Sequence, residues 1–187
     1  MENSPSLIQV KSQIITSAGA IWGDVSRFIE SVPDGPFVAS WDGTWSIGQE
    51  LEHLNLSSRP VSSALRIPSM TKASLKVFGS PSHPSRSYDQ VVARYQEKLN
   101  SGGKATGPYV PKVIDASDRT KLLDTWKTIG RKFVARVDKW SEEDLDGYLI
   151  PHPLLGKITL REMLFFTIYH AEHHLNSMQQ KLEAASK

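Results

Sequence analysis

An all-α fold, a four-helix bundle with a segment inserted between its second and third long helices, is the fold class the sequence predicts. Three observations predict it. Four long stretches repeat their apolar residues at spacings of three and four, clusters of Pro, Gly, Asn and Ser separate them, and no convincing set of strands alternates along the chain.

The first helix is predicted from Ser6 to about Val32, with Leu7, Val10, Ile14, Ile15, Ala18, Ile21, Trp22, Val25, Phe28 and Ile29 on its apolar stripe. The breaker cluster Pro33-Asp34-Gly35-Pro36 stops it, and a short loop containing Trp41 follows. Ser46 can cap the second helix, Gln49 three residues on completes a capping box, and the pattern runs to Ile67 before Pro68. Residues 68–116 form the insert. Its first part, 68–87, reads as loop with an extended piece over Ala73 to Phe78; Val91, Val92, Tyr95 and Leu99 predict a short helix ending at Asn100-Ser101-Gly102-Gly103; 101–116 is again loop. Leu122, Leu123, Trp126, Ile129, Phe133, Val134 and Val137 predict the third long helix, from about Ser117 to Trp140, in which Gly130 costs some helical stability. Ser141 and the acidic residues after it cap a minor helix. The stretch from Tyr148 to Ile158 is held extended by Pro151 and Pro153 and turned by Gly156. Thr159 and Glu162 form a second capping box, opening a last helix to about Ala184.

A chain of 187 residues fits one domain, 1–187. It contains no cysteine, which excludes disulfides, thiolate metal sites and a cysteine nucleophile, and leaves metal chemistry to His, Asp and Glu. Lys and Arg number 22 against 20 Asp and Glu, without a basic run, so no nucleic-acid or membrane partner is implied. Apolar runs such as Met163 to Phe166 are far shorter than the ~20 residues of a membrane span, and Met-Glu-Asn-Ser-Pro has none of the features of a secretory signal. A cytoplasmic location is the expectation.

His170 and His174 lie four apart in the last helix, about 40° around its axis and ~5–6 Å apart at Cβ, so both imidazoles can address one ion. His173 is rotated ~60° and ~100° from them and is left outside. Met163, Phe166 and Thr167 before the pair and Ser177 and Met178 after it share its stripe, which places the histidines toward an apolar interior and makes Met163, Phe166, Thr167 and Ser177 candidate pocket residues. His53, within the apolar pattern of the second helix, offers a third imidazole. Three neutral ligands with one open position would leave a divalent ion a strong Lewis acid. Glu50, one turn before His53, is a candidate general base or hydrogen-bond acceptor for a ligand. Glu172 is predicted to face solvent, and His152 to be an exposed loop residue. His170-Ala-Glu-His-His174 is neither H-E-x-x-H nor H-x-x-E-H, and the second Glu-x-x-His of a dinuclear carboxylate site is missing. Phosphate-loop and serine-hydrolase motifs are also missing.

Three blocks, Trp45-Ser-Ile-Gly-Gln-Glu-Leu-Glu-His53-Leu, Pro153-Leu-Leu-Gly156-Lys-Ile-Thr-Leu-Arg-Glu and Tyr169-His170-Ala-Glu-His-His174-Leu, resemble the DinB superfamily in its broad, YfiT-like branch. The resemblance implies a four-helix bundle, often a homodimer, that binds one divalent ion through a histidine of the second helix and H-x-x-x-H of the last. Those roles fall on His53, His170 and His174, and zinc or nickel are the expected ions. The implied activity is transfer of a low-molecular-weight thiol, or hydrolysis, on a small-molecule electrophile. A non-catalytic bundle whose ion only joins two helices, with Glu50 or His173 as fourth ligand, is the alternative. The chain departs from the simplest family pattern in the long insert.

Overall fold

A computed structural model describes residues 8–40, 43–66 and 68–185. Four long helices form the bundle: α1, Lys11–Ser31; α3, Ile47–Ala64; α6, Arg119–Val137; and α8, Leu160–Ala185. α1 packs on α6 and α8, and so does α3, so α1 and α3 lie on one diagonal of the bundle and α6 and α8 on the other. The core follows from the predicted stripes. Ile14, Ala18, Val25 and Ile29 of α1 are fully buried against Trp126, Phe133 and Val137 of α6. The Trp22 ring stacks on Trp126 at 4.6 Å and on Phe133 at 5.0 Å. No helix among the described residues is long and apolar enough to cross a membrane.

Both predicted capping boxes form. Ser46 Oγ accepts from Gln49 N at 3.1 Å while Gln49 Oε1 accepts from Ser46 N at 3.0 Å. Thr159 Oγ1 accepts from Glu162 N and Glu162 Oε2 from Thr159 N, at 3.2 and 3.1 Å. The expected start of the first helix at Ser6 and Leu7, the loop residue Trp41 and the expected end of the second helix at Ile67 lie outside the described residues.

Three local expectations are corrected. The cluster Pro33 to Pro36 does not stay a plain breaker: Asp34–Val38 forms a one-turn helix, α2, that buries Phe37. Pro36 is tolerated there because first-turn N–H groups have no intrahelical acceptor. For the same reason Pro68 starts a helix, α4 (Pro68–Leu75), continued by a 3₁₀ turn over Lys76–Phe78 where an extended piece was expected. The insert's predicted helix is α5, Tyr88–Asn100, and it lies along α8. The minor helix after Ser141 is α7, Glu142–Gly147. The Pro-held stretch becomes an antiparallel hairpin, β1 (Leu149–His152) and β2 (Gly156–Thr159), with His152 opposite Gly156. A proline is acceptable in a two-stranded ribbon, where its missing N–H can face away from the partner strand. Gly156 takes φ +75°, the left-handed conformation its turn needs.

Candidate metal centre

The cap at Ser46 fixes where α3 begins and so sets Glu50 and His53 on the face that meets α8. There the four-residue spacing stacks His170 and His174. The three imidazoles meet in the interior at 6%, 4% and 9% exposure for His53, His170 and His174. The Nε2 atoms of His53 and His174 lie 3.1 and 3.2 Å from that of His170. One ligand nitrogen from each of the three falls within 4.8 Å of the other two, and no other group of three among the described residues is placed to hold a metal ion.

The outer nitrogens explain the orientation. His53 Nδ1–H donates to the Tyr109 carbonyl at 2.7 Å, and His174 Nδ1–H to Glu50 Oε2 at 3.2 Å. His170 Nδ1 faces Ser57 Oγ at 3.5 Å. A carbonyl and a carboxylate only accept, so the Nε2 atoms of His53 and His174 are bare lone pairs. Both point at His170, whose single Nε2 position could carry a proton for at most one of them. A cation at the centre satisfies all three. Ligand nitrogens about 2.0–2.1 Å from a tetrahedral ion lie about 3.3 Å from one another, close to the separations here. The donor set therefore fits one divalent ion. Burial, then the neighbouring imidazoles, holds His170 and His174 well below the ordinary histidine range. Burial also lowers His53, against the Tyr109 bond and the charge of Glu50. All three are thus neutral, and available as ligands, at neutral pH.

Glu50 is nearly sealed, at 3% exposure, rather than facing solvent. It accepts from His174 Nδ1, from Ser177 Oγ at 2.8 Å and from the Lys181 ammonium, which also donates to the Trp45 carbonyl. This places Glu50 behind His174, as its orienting acceptor. It does not line the cavity described next.

A cavity of about 280 Å³ opens on the other side of the histidines, with His53 and His170 in its wall. Met163 and Phe166 line it as expected. Thr167 and Ser177 do not: the Thr167 hydroxyl donates to the Met163 carbonyl at 2.7 Å, and Ser177 is spent on Glu50. The insert contributes Tyr95, Lys104, Thr106 and Tyr109 to the wall. His173 stays outside the triad, half-buried, its ring 5.3 Å from that of His174. Glu172 is not solvated as expected, because the Tyr88 hydroxyl of α5 donates to it at 2.6 Å; burial raises its carboxyl in spite of that bond. The expectation for His152 is corrected as well. It is buried, lines the cavity and packs 4.2 Å from the Phe166 ring.

Sequence reasoning missed Ser57, Tyr109, Lys181 and His152. Ser57 and Lys181 had a local signal, standing four residues after His53 and after Ser177 on the same faces. Tyr109 serves through its main-chain carbonyl, which no residue type announces.

A four-helix bundle with three converging histidines on its second and last long helices defines a class of metal-site bundle proteins. The chain belongs to the DinB superfamily, whose family model matches residues 20–178. Among solved structures it is similar to YfiT from Bacillus subtilis, with a TM-score of 0.58 and 17% identity over 99% of this chain and 94% of that one. YfiT is described as "a probable metal-dependent hydrolase with an unusual four-helix bundle topology". No curated protein matches the chain.

Proposed function

We propose that the protein is a metal-dependent enzyme that transfers a small nucleophile, water or a low-molecular-weight thiol, to an electrophile bound in the cavity. The observation that carries this reading is the convergence of three buried Nε2 atoms, two of them on histidines that line a mostly apolar cavity, with each Nδ1 turned to an oxygen. A divalent ion there would supply Lewis acidity; zinc or nickel is the ion we propose, although an all-imidazole donor set suits iron and copper as well. The chain's own residues do the rest. Tyr109 and Glu50 lock the tautomers of His53 and His174. Met163, Phe166 and Tyr95 present an apolar surface that displaces water from a bound substrate. Since the chain has no cysteine, any sulfur nucleophile comes from a co-substrate.

Glu50 and His173, the candidates for a fourth protein ligand, are not among the groups placed to share an ion with the triad, which supports an open position. The test is elemental analysis of untagged protein loaded with zinc or nickel. Wild type is expected to hold about one ion per chain and His53→Ala and His174→Ala to lose it. Full retention in both variants, or none in wild type, would end the assignment. A conjugation screen with glutathione present and omitted then separates thiol transfer from hydrolysis, and His53→Ala is expected to be inactive in either.

A further inference from the structure

We infer that His152 is a substrate-binding residue whose Nε2–H donates a hydrogen bond to a carbonyl-type oxygen on an otherwise apolar ligand in the cavity. The tautomer follows from the hairpin. His152 closes the turn between β1 and β2, and its Nδ1 accepts from the main-chain N–H groups of Leu154 and Leu155 at 3.1 and 3.0 Å. A nitrogen that accepts two N–H bonds carries no proton, so the proton of the neutral ring is on Nε2. Burial pushes this imidazole down to about 4, so the ring is an uncharged donor at neutral pH.

Nε2 makes no hydrogen bond among the described residues. The wholly buried side-chain nitrogens and oxygens without a hydrogen-bond partner belong to Trp22, Asn55 and Arg119, and His152 is not among them. Its free N–H therefore reaches open space, and the open space His152 lines is the cavity that also holds His53 and His170. Phe166 lies between the two ends of that cavity, 4.2 Å from the His152 ring and stacked 5.0 Å from that of His170. A ligand across Phe166 can meet the histidine triad at one end and the Nε2–H at the other. The remaining wall is mostly apolar, and its one lysine, Lys104, is exposed. At the His152 end, away from the triad, a carboxylate would find no buried cationic side chain beside it, whereas a neutral carbonyl oxygen needs only the one donor.

This inference rests on the proposed function only in taking the cavity as the substrate site, and the test begins on metal-free protein so that the two can fail separately. The probes are acetophenone and α-methylstyrene, which share a skeleton and differ in C=O against C=CH₂. Wild type is expected to bind the ketone up to about tenfold more tightly, the worth of one net hydrogen bond. His152→Asn keeps an acceptor for the turn and removes the distal donor, so the preference should vanish while the melting temperature holds. His152→Gln loses the turn acceptor but reaches the Nε2 position with an amide N–H, and should keep the preference at lower stability. Equal binding of both probes to wild type, a preference that survives in His152→Asn, or a ¹⁵N–¹H spectrum showing the proton on Nδ1 would each overturn the inference. A ketone preference seen only after zinc loading would assign the oxygen to the ion and likewise overturn it, leaving the proposed function standing.

Discussion

At Gly130 propensity and packing point in opposite directions. In the middle of α6, alanine is the better helix former by about 1 kcal/mol. A Cβ at this position, however, would stand 2.1 Å from Trp22 Cδ1 and 2.5 Å from Cγ. The indole cannot retreat, being stacked between Trp126 and Phe133. Packing wins because a contact this short must be relieved by moving a ring held on both sides, and overpacking of this kind costs about 1–3 kcal/mol. Gly130→Ala is therefore expected to lower the urea midpoint by that much stability. A rise would show that the Trp22 stack yields. The glycine that the sequence alone marks as a weakness of the helix is what lets α1 and α6 approach.

Among the elements, the two capped helices make a controlled comparison. Ser46 and Gln49 only cap α3, apart from a bond from the Gln49 amide to the Lys112 carbonyl. Glu162 caps α8 and also accepts from the Arg86 main chain at 2.8 Å and its guanidinium at 3.1 Å, with its own side chain wholly buried. Ser46→Ala should cost about 1 kcal/mol, and Glu162→Ala about 2–4 kcal/mol, because a buried partner is also left behind. In the second variant amide exchange should quicken at the start of α5, next to Arg86, more than in α1. Equal costs would mean that the Arg86 pair contributes nothing. The same contrast explains what was legible. Stripes and capping boxes are local, so the four long helices, the caps of α3 and α8 and the His53, His170 and His174 set could be read from spacing and resemblance. Pro68 and Pro36 misled because a proline reads as a breaker until one knows that it sits in a first turn. The burial of His152, the Tyr88 bond on Glu172 and the turning of Glu50 behind His174 all depend on contacts between residues 84 to 124 positions apart or across the hairpin, and no local pattern encodes them.

Over the whole molecule, the buried histidines couple folding to pH. His152 is pushed down to about 4 by burial; His53 and His173 are lowered and His170 and His174 lie well below their ordinary range for the same primary reason. In the unfolded chain each titrates near 6.5. A group with a depressed folded value gives its full stability above the unfolded value, and that stability drains away as pH falls toward the folded one. For His152 alone the interval amounts to about 3 kcal/mol. Glu142 and Asp146 behave alike but lower down. Burial pulls them up, yet bonds from Lys11 and Arg161 to Glu142, and from Arg161 and Ser85 to Asp146, hold both below their ordinary values, so their loss begins only near pH ~4. Metal-free protein should therefore weaken from about pH 6.5 downward, well before Glu142 and Asp146 titrate. Zinc acts in the other direction. At a hundredfold excess over its Kd it should add about 2.7 kcal/mol by binding only the folded chain. Protons compete for the same Nε2 atoms only near their depressed folded values, so this increment should persist at about pH 6, where the metal-free protein is already losing stability. Urea midpoints from about pH 7.5 to 5, with and without zinc, check both statements. A flat metal-free profile would mean that the histidines are solvated, and an increment that vanishes as soon as pH reaches about 6.5 would mean that their folded values are not depressed.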